Sequence, residues 1–352
     1  MYCRGGNDLT TDNANTNLAV NPLYNLTKED WWFQHERGCD AAPPKAGEFL
    51  ELPANGNFTV ELAHNRAQTT LSYDGKFASA WPDGGDHPDN WNGWNTDGTP
   101  AVCLKEDGAM HTYNESSAGG TAFAISYSSD IKDVTMENLV VFSTLYHTPW
   151  KRLATYQVPD LAACPEEGCH CAWLWIPNGC GQANMYMQGF KCKVTGASPN
   201  AAPLAKAQVP TYCEEDQSKC VKGAKQMLAW HQWTGNNIET EQWTTPNYNQ
   251  KCGWAEGAQT DIFEASSNPA SSTLSAVVST SSRVPTTMVT AVSSSVVVED
   301  LTSTTSSSST ATPVASSMST PVTSVAAAAS TSTPCTKQHR SRKHHRPTAR
   351  SA

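Results

Sequence analysis

Eleven cysteines crowd the first 252 positions: Cys3, Cys39, Cys103, Cys164, Cys169, Cys171, Cys180, Cys192, Cys213, Cys220 and Cys252. This density limits the fold more than any other feature, because it sets the compartment. The run Cys164-x4-Cys169-x-Cys171-x8-Cys180-x11-Cys192 does not match a zinc ribbon, whose ligands come in close pairs. It reads as a disulfide framework made in an oxidising compartment. All of these cysteines except Cys3 are candidates for pairing. The odd total leaves one over, with Cys335 further along as a partner open to it. Three sequons, at Asn25, Asn57 and Asn114, make those asparagines glycosylation candidates and point to the secretory pathway.

The cysteine-rich region ends abruptly. Of the 69 residues 265–333, 36 are Ser or Thr. Such a segment buries too little apolar surface to offset the entropy of ordering it. The organisation expected is therefore a core over 1–264, a disordered and O-glycosylated stalk over 265–334, and a basic tail over 335–352. The stalk would extend the core's reach across an insoluble surface. The tail carries Lys337, Arg340, Arg342, Lys343, Arg346 and Arg350 and no acid, so residues 1–334 hold 18 basic against 33 acidic groups, a formal charge of −15. That balance argues against nucleic acid as a partner, since phosphate contacts need Lys and Arg. The tail reads as a solvated basic end; attachment to acidic cell-wall surfaces is the alternative.

No run of about 18 apolar residues marks a membrane span, and the end TKQHRSRKHHRPTARSA lacks the hydrophobic tail of a lipid anchor. The opening MYCRGGNDLTTDNANTNLAV has neither the basic nor the apolar region of a secretory leader. Met1 is accordingly expected to be an internal residue of a longer precursor.

Short alternating runs mark strands: Phe58, Val60, Leu62; Phe123, Ile125, Tyr127; Leu139, Val141, Ser143. Gly, Pro, Asn and Asp punctuate the stretches between them, as in residues 84–100. The expected fold is all-β, an antiparallel sandwich with long loops. One short helix is expected after Thr27, which would cap it with Asp30 at the third position. All twelve tryptophans precede residue 255, too many for one interior, so some belong on the surface. Exposed indoles would suit carbohydrate; the other reading is that they cover a small, stapled core.

The histidines before residue 265 are His35, His64, His87, His111, His147, His170 and His231. None pairs at helical metal-site spacing, and neither His-Glu-x-x-His nor Gly-x-Ser-x-Gly occurs. Taken singly, each is better explained as structural. That includes His170, whose flanking Cys169 and Cys171 are expected in disulfides rather than as thiolates. Tyr186 has two readings: a packed ring with a hydrogen-bonded hydroxyl, or a phenol beside a metal.

Several strings together carry a resemblance: Asn21-Pro-Leu-Tyr-Asn-Leu-Thr27, Asp30-Trp-Trp-Phe33, Met110-His-Thr112, Gly168-Cys-His-Cys-Ala-Trp173 and Tyr186-Met-Gln-Gly-Phe190. Cys220-Val-Lys-Gly-Ala-Lys-Gln226, Gly235-Asn-Asn237 and Gly257-Ala-Gln-Thr-Asp-Ile-Phe263 add to it. In this order over residues 1–263 the chain resembles the fungal lytic polysaccharide monooxygenases of auxiliary activity family 14. The resemblance implies an immunoglobulin-like β-sandwich and one copper held in a histidine brace. In such a brace the amino-terminal histidine gives its amine and imidazole, and a second histidine gives a third nitrogen. Carried over, His111 is that second histidine and Tyr186 the axial phenol; Gln182 is the candidate amide steering the oxygen species. Nitrogen donors in a T or square suit copper(II). The amino-terminal histidine of the brace precedes the equivalent of Met1, and this chain does not contain it. The implied protein is secreted, monomeric and active on insoluble plant cell-wall polysaccharide, xylan associated with cellulose, with an external electron donor and peroxide or dioxygen. A secreted polysaccharide-binding protein without catalysis is the alternative.

Overall fold

The computed structural model describes residues 1–91, 110–179 and 181–264. The Ser/Thr-rich stretch, the basic tail, Cys103, Cys180 and Trp94 lie outside the described residues. Among the described residues eight strands form: β1 (Leu50–Pro53), β2 (Asn57–Glu61), β3 (Thr121–Ser126), β4 (Val140–Leu145), β5 (Leu153–Gln157), β6 (Cys169–Trp175), β7 (Tyr186–Thr195) and β8 (Gly257–Ala258). Six make one sheet in the order β1-β7-β6-β3-β4-β8, and β2 pairs with β5 in a second. The pairing is antiparallel except at one edge, where β1 runs parallel to β7 with Leu50 opposite Cys192. The protein is thus all-β, with long loops and several disulfides. The only α-helix among the described residues, α1 (Lys28–Trp31), starts as expected: the Thr27 hydroxyl accepts from the Asp30 amide at 3.3 Å and donates to its carboxylate at 2.6 Å.

The large sheet is covered on both faces, which is why β3 is buried along its whole length. Phe123 and Ile125 point to the β2–β5 sheet, where Phe58, Tyr156, Phe142 and Val194 join them in one core. Phe58 lies edge-on to Phe123, centroids 4.9 Å apart, and stacks on Tyr156 at 5.6 Å. Ala122 and Ala124 face the other way, into a core of Leu23, Trp31, Phe33, Leu174, Met187 and Trp254. Small alanines on that side leave room for the indoles supplied by loops. The tryptophans divide accordingly: Trp31, Trp81, Trp150, Trp175 and Trp254 are buried, whereas Trp233 and Trp243 stand exposed.

Four disulfides staple the described residues: Cys3–Cys39, Cys164–Cys169, Cys171–Cys192 and Cys213–Cys220. Two sequence expectations change here. Cys3 is paired, because the amino-terminal segment lies along β7 (Tyr2 N donates to Gly189 O at 2.9 Å) and brings Cys3 to Cys39. Cys252 instead carries a free, buried thiol, which burial pushes up to about 12.

His170 is structural. Its Nδ1 donates to the Ser128 carbonyl (2.8 Å) and its Nε2 accepts from the Tyr2 hydroxyl (2.9 Å), so the neutral ring meets both partners. Burial lowers its pKa, with Lys191 adding to the effect. The unfolded chain therefore takes up a proton near pH 6.5 that the folded ring resists. Stability contributed by His170 is complete above that pH and is lost as pH falls below it. Unfolding free energies from urea titrations should fall as pH is lowered from 7.5 to 5. The exposed His35–Asp40 pair, whose His pKa is raised, opposes this weakly. A His170→Phe variant should lose the slope; an unchanged slope would contradict the assignment.

Candidate copper site

The end of β6 and the start of β7 lie side by side, with Trp175 opposite Tyr186 in register. Their rings stack, centroids 4.5 Å apart at 26°. Onto this pair the loop before β3 lowers His111. The loop is tightly stitched. Thr112 Oγ1 bonds Ser117 Oγ at 2.7 Å, Asn114 and Ser117 form a capping box, and Asn178 Nδ2 donates to Ser117 O at 2.7 Å. Gly119 O accepts from Asn249 Nδ2 at 2.9 Å. At its head His111 takes a left-handed φ of 45°, a conformation bulky residues hold only where the surroundings enforce it.

His111 Nε2 comes to 3.4 Å from Tyr186 Oη, and the imidazole meets Trp175 edge-on at 5.6 Å. Gly181 closes the other side. It has φ of 90°, and a Cβ there would lie 3.1 Å from His111 Nδ1. Only glycine combines that backbone with so close an approach. Tyr186 is 8 % exposed, and burial holds its phenol well above the ordinary tyrosine value, opposed by the Arg37 guanidinium. It is a neutral phenol at any ordinary pH.

Gln182 is exposed and faces solvent; what it gives the neighbourhood is its backbone carbonyl, which accepts from Asn184 Nδ2 at 2.8 Å. A buried amide, Asn184, stands two residues before Tyr186. Among the described residues its Oδ1, buried, has no hydrogen-bond partner, and neither has Trp175 Nε1. The Trp175 ring contacts both His111 and Tyr186, so its unpaired Nε1 is the kind of polar atom that a bound group can satisfy.

The chemistry fits copper in part. One imidazole nitrogen and one neutral phenol oxygen converge, a donor pair suited to copper(II). No group of three or more His, Cys, Asp or Glu that could hold a metal occurs among the described residues. Asn25 and Asn57 are exposed and Asn114 half-buried. No helix among the described residues is long and apolar enough to cross a membrane.

The family model described as lytic polysaccharide monooxygenase AA14 matches residues 1–351. Over 276 residues the chain is 38 % identical to AA14 family lytic polysaccharide monooxygenase B of Talaromyces rugulosus, covering 75 % of this chain and 90 % of that protein. It is 37 % identical over 278 residues to AA14 family lytic polysaccharide monooxygenase A of Trametes coccinea, covering 74 % and 61 %. To the B protein of Pycnoporus cinnabarinus it is 36 % identical over 259 residues, covering 70 % and 64 %. The chain thus spans nine-tenths of the first relative and under two thirds of the other two. It belongs to the AA14 lytic polysaccharide monooxygenases, copper-dependent enzymes that cleave polysaccharide oxidatively.

Proposed function

We propose that this protein is a secreted, monomeric monooxygenase that cleaves xylan associated with cellulose in plant cell walls. An external donor would supply electrons, and peroxide or dioxygen the oxygen. The observation that carries this reading is the approach of His111 Nε2 to Tyr186 Oη at 3.4 Å. His111 and Tyr186 would be the residues of this chain that hold copper. An amino-terminal histidine, required by the family resemblance, would give the remaining two nitrogens. Copper so held supplies the redox chemistry that activates the oxygen co-substrate.

The other residues position and polarise. The Trp175 stack fixes the Tyr186 ring, while burial keeps its hydroxyl protonated. Gly181 lets its loop close on His111 and limits the ring's rotation. Asn184, whose buried Oδ1 is an available acceptor, is a second candidate beside Gln182 for the steering amide. Glycans at Asn25, Asn57 and Asn114 complete the secreted form.

The test is product analysis. Secreted protein given copper, ascorbate and peroxide on xylan-coated cellulose should release oxidised oligosaccharides, and a strong chelator or omission of ascorbate should stop it. Unoxidised products that persist under chelation would identify a hydrolase instead. Binding without any cleavage would favour the non-catalytic reading.

A further inference from the structure

Trp243 is 93 % exposed, more than any other large apolar side chain among the described residues. It sits at the tip of a turn with φ of 71°, in the left-handed region. The turn is held from within, Thr244 N donating to Glu241 O at 3.0 Å and Thr240 Oγ1 to Thr244 O at 2.8 Å. An indole lifted into water on a strained but fixed backbone is preorganised to meet something.

Its place in the fold says what. Two residues on, Thr245 is buried, and its Oγ1 would lie 3.3 Å from a Cβ on Gly179. Gly179 begins the short loop whose Gly181 abuts His111. The Trp243 turn and the His111 loop therefore flank the same end of β6 and β7. On His111's own loop, Tyr113 is 41 % exposed. Charge narrows the ligand. Glu239 and Glu241 flank Trp243 and the core is strongly acidic, so a polyanion is repelled. An indole's electron-rich face attracts the polarised C–H bonds of a sugar ring, and a rigid aromatic loses little entropy on contact.

We propose that Trp243 is a stacking platform for an uncharged polysaccharide, receiving the C–H face of a sugar in the chain whose cleavage point lies at His111. Tyr113, on the loop of His111, is the second aromatic offered to the same chain. The proposal rests on reading His111 as the copper ligand, so its test is made without copper.

Retention of the full secreted chain on insoluble xylan and on microcrystalline cellulose, in excess chelator, is compared among variants. Trp243→Ala should raise the apparent Kd about tenfold, within the range for one aromatic stack. Trp243→Phe should restore most of it. Leu153→Ala, a side chain 57 % exposed on β5, should change nothing. Melting temperature and sedimentation should match wild type throughout. The proposal fails if Trp243→Ala binds like wild type, if wild type is not retained at all, or if Trp243→Ala alters the oligomeric state. Loss of retention in a protein that never oxidises polysaccharide would leave the platform standing and refute the copper reading. Cleavage by wild type with retention of Trp243→Ala undiminished would do the reverse.

Discussion

Replacing His111 by alanine should weaken copper binding by more than about 100-fold and reduce oxidative cleavage to background. Even outer-shell substitutions at metal sites cost 10- to 100-fold, and here the imidazole itself is removed. The fold should be spared. His111 is half-buried on a loop held by hydrogen bonds of Thr112, Asn114, Asn178 and Asn249. The melting temperature should therefore move little, as for surface changes in general. Tyr186→Phe gives the contrasting case. It keeps the stack on Trp175 and deletes only Oη, so copper should still bind while turnover changes. Isothermal titration with copper and a product assay distinguish the two variants. Equal losses in both, with a lowered melting temperature, would mean that the substitutions act through the fold.

The second large effect is on stability. Cys171 and Cys192 are fully buried and link β6 to β7 across 21 residues. The same strands end in Trp175 and begin with Tyr186. Replacing both cysteines by alanine should cost about 3 kcal/mol from loop-closure entropy. In a domain of this size that lowers the melting temperature by roughly 6–12 °C. Well below the transition, copper affinity should stay near wild type, because the β6–β7 ladder keeps Trp175 and Tyr186 in register. Calorimetry reads the first effect and titration the second. A shift under about 2 °C would show that packing between the sheets, rather than the cross-link, holds these strands.

The sequence carried the strands whose two faces differ. Phe58 and Val60 alternate with the exposed Asn57 and Thr59 in β2, and in β3, buried throughout, the large Phe123 and Ile125 alternate with the small Ala122 and Ala124 of the opposite core. It carried less of β6, where Cys169 to Trp175 is buried on both sides, leaving no alternation to read. The parallel β1–β7 pair has no local signature, since a loop of any length can bring Leu50 to Cys192. Cysteine parity announced one odd thiol without saying which. That depends on Cα separations such as the 5.0 Å between Cys3 and Cys39, fixed only when the amino-terminal segment lies along β7. At the site, His111 and Tyr186 were legible through family strings alone; their residue types and spacing would have left both structural. Gln182 was picked on nearness to Tyr186, and burial, which singles out Asn184 instead, is a property that nearness in sequence does not carry.

The most direct test of the copper assignment is the electron paramagnetic resonance spectrum of the secreted protein loaded with one equivalent of copper(II), with histidine labelled by nitrogen-15. Coupling to three nitrogens is expected, two of them from imidazoles, and His111→Ala should remove one imidazole coupling. A spectrum unchanged by His111→Ala would place the metal elsewhere and contradict the account.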